Sequence, residues 1–147
     1  MSSSSAIARG MVLDDEFVEQ ILWAAPMHDI GKISIPDSIL QKPGKLDPGE
    51  WVIMRTHTTI GAEILRDAVA DSIRLDEAIT LSHHGKWGGN GYPQGLKGSG
   101  SHLAGRIVAM ADVFDALTSE RPYKEPFPLE KAFAIIKESR GSHFTLM

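Results

Sequence analysis

The stretch 47–66, DPGEWVIMRTHTTIGAEILR, carries the signals of a complete α-helix. Asp47 is placed to cap the helix, Pro48 suits the first helical position, and Glu50 stands three residues after the cap, as in a capping box. Apolar residues then recur at intervals of three and four, which is the spacing of one helix face. The stretch therefore predicts a helix that begins after Asp47 and ends at about Arg66.

Helical spacing of apolar residues continues on both sides of this stretch. It predicts further helices over about residues 15–25, 71–83, 102–118 and 128–139, and an uncapped partial helix over residues 6–13. The helix over residues 15–25 should begin after a cap at Asp14 or Asp15. It should kink or stop at Pro26, which lacks a backbone N–H. The Pro- and Gly-rich stretch 31–48 is predicted to be a loop. No pair of alternating strands is found, so the predicted fold class is all-α, a helical bundle.

One loop interrupts the helical pattern in an unusual way. Residues 85–101, GKWGGNGYPQGLKGSGS, hold seven of the fourteen glycines in the chain. A flexible surface loop is one interpretation, and tight turns that bring the backbone close to another group are the other. The large aromatic residues Trp87 and Tyr92 favour the second.

Composition narrows the possible functions. The chain has 147 residues, a net charge of −4 and no cysteine, so residues 1–147 are predicted to form one domain without disulfides or cysteine-ligated metals. The acidic balance disfavours binding to a long nucleic acid. No apolar run is long enough to cross a membrane, and a cytoplasmic location is predicted.

Histidine and aspartate side chains occur on the apolar side of four successive helical segments. Because such groups are costly to bury without partners, a shared metal is the simplest common explanation. Imidazole and carboxylate ligands suit divalent iron, manganese, nickel or zinc. The predicted ligands are His28, Asp29, His57, His83, His84 and Asp112.

Six ligands are more than one tetrahedral ion requires. A pair of ions bridged by Asp29 is the more economical interpretation, and two-metal sites commonly catalyse phosphoester hydrolysis. Each residue taken alone has a plainer explanation, such as a hydrogen-bonded core histidine or a solvated aspartate. The prediction depends on the whole set.

The sequence resembles the HD-GYP domains, a subgroup of the HD-domain phosphohydrolases. The resemblance is carried by HDIGK at 28–32, HTTIG at 57–61, HHGKW at 83–87, GYP at 91–93, DVFDALT at 112–118 and RPYK at 121–124. It runs in order from about Ser2 to Phe144. It implies an HD-type helical bundle with a long glycine-rich GYP loop, and hydrolysis of cyclic di-GMP to pGpG or GMP.

The resemblance also implies roles for individual residues. His28 and Asp29 correspond to the metal pair that names the family, and Lys32 and Asp29 to the catalytic positions. The residues implied to hold substrate are Gly91, Tyr92, Pro93, Asp115, Arg121 and Lys124. The implied cofactor is a pair of divalent ions. Iron and manganese are the preferred candidates, and nickel, zinc and magnesium are the alternatives.

The resemblance has departures that keep other functions open. HD-GYP domains commonly have acidic residues where this chain has Gly85 and Gly88, and an additional helix with metal ligands before residue 1. They are commonly fused to a receiver or sensory domain, so the chain is predicted to be a fragment lacking both. One alternative is a catalytically impaired module that binds either a nucleotide or, through the GYP loop, a protein partner. The other is a phosphohydrolase that acts on another nucleotide.

Overall fold

The computed structural model describes residues 2–66, 73–120 and 125–144. Within these ranges the chain is helical, and the pairings outside helices are isolated bridges between Gly88 and Lys97 and between Arg140 and Phe144. The helices are α1 (Ser3–Gly10), α2 (Asp15–Ala24), α3 (Asp37–Leu40), α4 (Pro48–Arg66), α5 (Ile73–Ser82), α6 (Leu103–Thr118) and α7 (Leu129–Glu138). The predicted all-α class is confirmed.

Most helix ends lie where the sequence predicts them. Asp14 caps α2 by accepting a hydrogen bond from the Phe17 N–H at 2.8 Å. At α4 the capping box is complete, because Asp47 Oδ1 accepts from the Glu50 N–H at 2.9 Å and Glu50 Oε2 accepts from the Asp47 N–H at 2.8 Å. These interactions involve residues three apart, so local sequence is enough to specify them.

Two predictions about chain segments were wrong. The first helix is capped, since Ser2 Oγ accepts a hydrogen bond from the Ser5 N–H at 3.3 Å. The predicted loop over 31–48 contains a 3₁₀ turn, Ile30–Ser34, and the short helix α3. That turn packs against α4. Because a 3₁₀ turn of a few residues is too short to show a periodic pattern of apolar residues, the sequence did not predict it.

The hydrophobic core lies where α1, α2, α5 and α6 meet. Its buried residues are Ala8, Val18, Ile21, Ala24, Ala25, Ile79, Ala104, Ile107 and Val108. Helix α4 packs on the outer side of α5, and α7 packs on α6. The chain that follows α2, the middle of α4 and the end of α5 thereby come together on one side of the core, where His28, His57 and His83 lie.

Candidate metal centre

Three histidines are oriented by backbone carbonyls within their own turns. Nδ1 of His28 lies 2.5 Å from the Ala25 carbonyl oxygen, Nδ1 of His57 lies 2.6 Å from that of Met54, and Nδ1 of His83 lies 2.9 Å from that of Thr80. A carbonyl only accepts, so each Nδ1 carries the hydrogen that it donates. The lone pair of a neutral ring is then on Nε2, which is the arrangement that a metal-binding histidine needs.

The Nε2 atoms of these rings converge on the carboxylate of Asp29. The distance from Asp29 Oδ1 is 3.6 Å to His57 Nε2 and 3.8 Å to His83 Nε2, and Asp29 Oδ2 lies 3.4 Å from His28 Nε2. The first two separations are too long for hydrogen bonds. Asp29 Oδ1, His57 Nε2 and His83 Nε2 are buried and have no hydrogen-bond partner within the described residues.

A divalent cation fits this arrangement. Asp29, His57, His83 and His84 each offer one ligand atom, and these atoms all lie within 4.8 Å of one another. Ligands placed about 2.1 Å from one ion would be separated by about 3–4 Å, so a small contraction would complete the sphere. Buried acceptors that face each other without a donor are unfavourable, and a cation satisfies all of them at once.

The electrostatic environment favours the forms that bind metal. Burial, reinforced by the neighbouring histidines, lowers the pKa of His83 to about 4 and that of His84 to about 3. Burial likewise lowers the pKa of His57. Burial would raise the pKa of Asp29, but hydrogen bonds from His28 and Lys32 outweigh it and hold that pKa well below its usual range. At neutral pH the neutral imidazole is therefore favoured for His57, His83 and His84, and the ionised carboxylate for Asp29. The pKa of His28 is raised instead, so this ring favours its protonated form until a cation displaces the proton.

Close packing of two glycines brings Asp29 to His57. A Cβ at Gly31 would lie 1.9 Å from the His57 carbonyl oxygen and 2.6 Å from the Gly61 nitrogen, and a Cβ at Gly61 would lie 2.6 Å from Thr80 Cγ2. Side chains at these positions would separate the 3₁₀ turn Ile30–Ser34 from α4, and α4 from α5. The glycines of HDIGK and HTTIG thus allow the contacts that assemble the ligands.

The GYP segment packs against His84. The Tyr92 N–H donates to the His84 carbonyl at 3.2 Å, and the Tyr92 ring stacks on the His84 imidazole with centroids 4.6 Å apart and an interplanar angle of 23°. A Cβ at Gly91 would lie 2.4 Å from the His84 carbonyl oxygen. The loop therefore makes a close backbone approach, as the sequence suggests, and Tyr92 limits the positions available to the His84 ring.

Asp112 lies apart from the four converging ligands. It lines, with His28 and Asp115, a pocket beside them that residues Ser2–Ser4 also border. The Ser3 hydroxyl donates to Asp115 Oδ1 at 2.7 Å. Burial alone would lower the pKa of His28, but the hydrogen bonds of His28 to Asp29 and Ala25 outweigh burial and raise this pKa, and the negative charge of Asp112 makes a smaller contribution in the same direction. Of the six predicted ligands, four converge directly, His28 adjoins Asp29, and Asp112 faces the neighbouring pocket.

The chain matches the family described as "HD domain" over residues 2–145, nearly its whole length. It is 50% identical over 142 residues to a cyclic di-GMP phosphodiesterase of Thermotoga maritima, a match that covers 97% of this chain and 39% of the relative. The chain belongs to the HD-GYP branch of the HD domain family. The predicted resemblance is confirmed.

Other HD-GYP relatives differ in the substrate for which they are named. A response regulator of Xanthomonas campestris named as a cyclic di-GMP phosphodiesterase is 47% identical, over 94% of this chain and 36% of the relative. A 3′3′-cGAMP-specific phosphodiesterase of Vibrio cholerae is 45% identical, over 90% of this chain and 25% of the relative. The chain thus spans well under half the length of these curated relatives.

A solved structure supports the HD-GYP fold. The crystal structure of a cyclic GMP-AMP-specific phosphodiesterase of V. cholerae matches with a TM-score of 0.68 over 97% of this chain and 39% of that chain, at 18% identity. At this identity the match is informative about the fold alone. Within the part of the HD-GYP domain that is described, no helix is long and apolar enough to cross a bilayer.

The remaining predicted site residues of the HD-GYP domain have different outcomes. Lys32 points into the site, with Nζ 2.5 Å from Asp29 Oδ2, and Pro93 is exposed beside Tyr92. Arg121 and Lys124 lie outside the described residues, so their substrate-binding roles stay predictions. The roles of Gly91, Tyr92, Pro93 and Asp115 in holding substrate also stay predictions.

Sequence reasoning missed two residues next to the centre. Arg55 contacts both Trp51 and the Tyr92 ring, although nothing in the motif pattern singled it out. The available signal was the i, i+4 spacing of Trp51 and Arg55 on the helix that carries His57. Their relation to Tyr92, nearly forty residues later, required the tertiary structure.

Proposed function

We propose that this domain hydrolyses a phosphodiester bond of a cyclic dinucleotide, with cyclic di-GMP as the first candidate, at a metal held by Asp29, His57, His83 and His84. The observation that carries the proposal is the set of buried acceptor atoms, Asp29 Oδ1, His57 Nε2 and His83 Nε2, which face one another without a donor within the described residues. The names of the relatives support the substrate class.

A bound divalent ion would neutralise charge on phosphate oxygens and lower the pKa of a water ligand. The protein's own contribution begins with the neutral state of His83 and His84, whose low pKa values leave lone pairs available at pH 7. Tyr92 supports one of these rings by stacking. The ligand set is therefore held in its binding form before any ion arrives.

Lys32 is the described cation best placed to meet the scissile phosphate. Its Nζ is next to Asp29 Oδ2, and its side chain remains 38% exposed. An ammonium group in this position can donate a charge-assisted hydrogen bond to a phosphate oxygen as negative charge develops. We propose that Arg121 and Lys124 supply further cations for the phosphates, as the family resemblance implies.

A second ion is part of the proposal. His28 Nε2 lies 3.4 Å from Asp29 Oδ2, and His28 and Asp112 line the same pocket. Asp29 can use one oxygen toward the His57 and His83 side and the other toward His28. A bridged pair of ions would then be held by Asp29, with His28 and Asp112 completing the second position. Iron or manganese is the proposed metal, and pGpG or GMP the proposed product.

The experiment measures hydrolysis and metal content together. The purified chain is freed of metal, reloaded with Mn²⁺ or Fe²⁺, and incubated with cyclic di-GMP or 3′3′-cGAMP while linear products are separated by chromatography. We expect metal-dependent hydrolysis that is lost in His57→Ala and kept in His102→Asn, which preserves a capping side chain on α6. Metal binding by the wild-type chain with no hydrolysis of either compound would contradict the proposal.

A second candidate function is nucleotide binding without turnover. It is favoured by Gly85 and Gly88, which stand where HD-GYP domains commonly have acidic residues. The structure leaves little room there, since a Cβ at Gly85 would lie 2.8 Å from the Ser82 carbonyl oxygen and one at Gly88 would lie 3.1 Å from that of Ser142. Saturable binding of cyclic di-GMP in the presence of metal, without product, would identify this function.

The cellular setting also belongs to the proposal. We propose a cytoplasmic signalling role with an upstream receiver or sensory domain, because the relatives extend far beyond the matched segment. A protein partner at the GYP loop is a further proposal. Trp87 and Tyr92 are half-buried there, in contact with Arg106 and His84, so a partner would meet the exposed residues 93–97.

A further inference from the structure

The guanidinium of Arg55 lies between two aromatic rings. Its Cζ is 5.1 Å from the centroid of the Tyr92 ring and 5.9 Å from that of Trp51. Both are within the range of a cation–π interaction. Trp51 precedes Arg55 by one helical turn on α4, so the two side chains extend from the same side of the helix. The aromatic rings limit the orientations of an otherwise flexible side chain.

The guanidinium of Arg55 makes no hydrogen bond or ion pair with any of the residues the structure describes, although the Arg55 carbonyl accepts a hydrogen bond from the Thr58 hydroxyl at 3.0 Å. Neighbouring cations behave differently, since Lys42 pairs with Glu50 at 2.5 Å and Lys32 pairs with Asp29 at 2.5 Å. In a chain with a net charge of −4, a cation held by rings and lacking a carboxylate partner is available to an outside ligand. A cation–π contact at these distances does not use up the N–H donors of the guanidinium, which can still bind a ligand.

The position of Arg55 connects it to the metal centre. The Tyr92 ring that it contacts stacks on His84 at 4.6 Å and lies 6.4 Å from His57, centroid to centroid. Arg55 is therefore one aromatic ring away from two proposed metal ligands. Beyond it, the Trp51 side chain is 44% exposed and offers an apolar ring surface to solvent. A nucleotide base is joined to its phosphate through one ribose, so the base of a nucleotide whose phosphate lies at the metal could reach this surface.

We propose that Trp51 and Arg55 form a subsite for a guanine base of the substrate. This inference rests on the proposed function and assigns a part of the substrate to residues outside the metal centre. Guanine presents two acceptors, O6 and N7, which match paired N–H donors of an arginine, and its ring can stack on the Trp51 indole. Adenine presents an acceptor and a donor on the same edge, so it cannot accept both hydrogen bonds.

The test compares binding of cyclic di-GMP and cyclic di-AMP. Titration calorimetry on the metal-loaded chain gives a Kd for each dinucleotide with wild-type protein, Arg55→Ala and Trp51→Ala. We expect Arg55→Ala to weaken cyclic di-GMP binding by about 10- to 100-fold and cyclic di-AMP binding much less. Trp51→Ala should weaken both by about 10-fold, since stacking is tolerant of base identity. Arg9→Ala and Trp23→Ala, at exposed positions elsewhere, should change neither.

Four results would overturn the inference in distinguishable ways. An equal loss for both dinucleotides in Arg55→Ala would indicate a phosphate contact instead of a base contact. Reduced metal content in Arg55→Ala, restored by Arg55→Lys, would show that Arg55 only positions Tyr92 against His84. Absence of binding of any cyclic dinucleotide by the wild-type chain would overturn the proposed function as well, whereas wild-type binding with an unaffected Arg55→Ala would overturn the subsite alone.

Discussion

Asp29 Oδ1 lies 3.6 Å from His57 Nε2, and neither of these buried atoms has a hydrogen-bond partner within the described residues. Two acceptors this close, with the neutral form of His57 favoured by burial, repel each other unless a cation lies between them. The proximity of these two atoms brings the start of the 3₁₀ turn Ile30–Ser34 next to the middle of α4. It is the structural basis of the first prediction.

Asp29→Asn should weaken metal binding by at least about 10- to 100-fold, because the amide replaces a charged ligand shared by every nearby imidazole. The measurement is the free-metal dependence of binding, together with the shift in Tm that Mn²⁺ produces. In the wild-type chain, metal at about a hundred times its Kd should add about 2.7 kcal/mol of stability. Thr59→Ala, on the exposed side of α4, serves as the control. A variant that keeps the full shift in Tm would contradict the proposed ligand role.

Stability of the metal-free chain should fall as the pH falls from about 6.5 to about 4. The folded pKa of His83 is about 4, below the value of about 6.5 that an unfolded histidine has. The unfolded state therefore binds more protons in this range, and acidification favours it. The contribution of His83 would be at most about 3 kcal/mol, measured by urea unfolding in the presence of a chelator. His83→Gln should flatten this slope, and an unchanged slope would exclude His83 as its origin.

Gly31→Ala should destabilise the fold and disturb the metal centre together. The new Cβ would lie 1.9 Å from the His57 carbonyl oxygen, so the turn that carries Asp29 must move away from α4. Overpacking of this kind typically costs about 1–3 kcal/mol, which urea unfolding would detect, with a parallel loss of metal affinity. Gly10→Ala is the matched control, because a Cβ there meets nothing within 4 Å. Equal effects of the two substitutions would contradict the packing argument.

Lys32→Ala should lower turnover and leave metal content nearly intact. The ammonium of Lys32 pairs with Asp29 Oδ2, so its removal takes away a competitor for that oxygen while it also removes a hydrogen-bond donor for the phosphate. We expect kcat to fall by about 10- to 100-fold, in line with the loss of one charge-assisted contact. Metal content and activity are measured on the same preparation. Their parallel loss would instead identify Lys32 as a structural residue.

Tyr92→Phe should retain metal binding, whereas Tyr92→Ala should weaken it. The stacking of the ring on His84 does not need the hydroxyl, whose pKa is raised to about 12 by burial, so that it stays neutral. Removal of the ring frees the His84 imidazole and opens the site to solvent. Metal affinity measured for both variants tests this support role. A loss in Tyr92→Phe equal to that in Tyr92→Ala would assign the effect to the hydroxyl.

The sequence by itself determined the elements whose signals are local. The Asp47–Glu50 capping box and the Asp14 cap connect residues three apart, so their partners can be identified from spacing alone. The sequence also predicted a metal site from the whole set of inward histidines and aspartates, and the structure brings Asp29, His57, His83 and His84 close enough to hold an ion. The change of helix type near Pro26 also has a local cause, since the missing N–H is a property of that residue. Helix α2 ends at Ala24, and a 3₁₀ turn, Ala25–Met27, contains Pro26.

Only the tertiary structure decided which of these groups meet. Asp29 reaches His57 because Gly31 and Gly61 let backbone atoms approach closely, and Asp112 faces the His28 pocket because α6 packs beside α1 and α5. Arg55 gains its place between Trp51 and Tyr92 from the path of the glycine-rich loop. Such contacts depend on how the packed elements fill space, and they join residues far apart in the chain, which leaves no periodic or capping signal in the sequence.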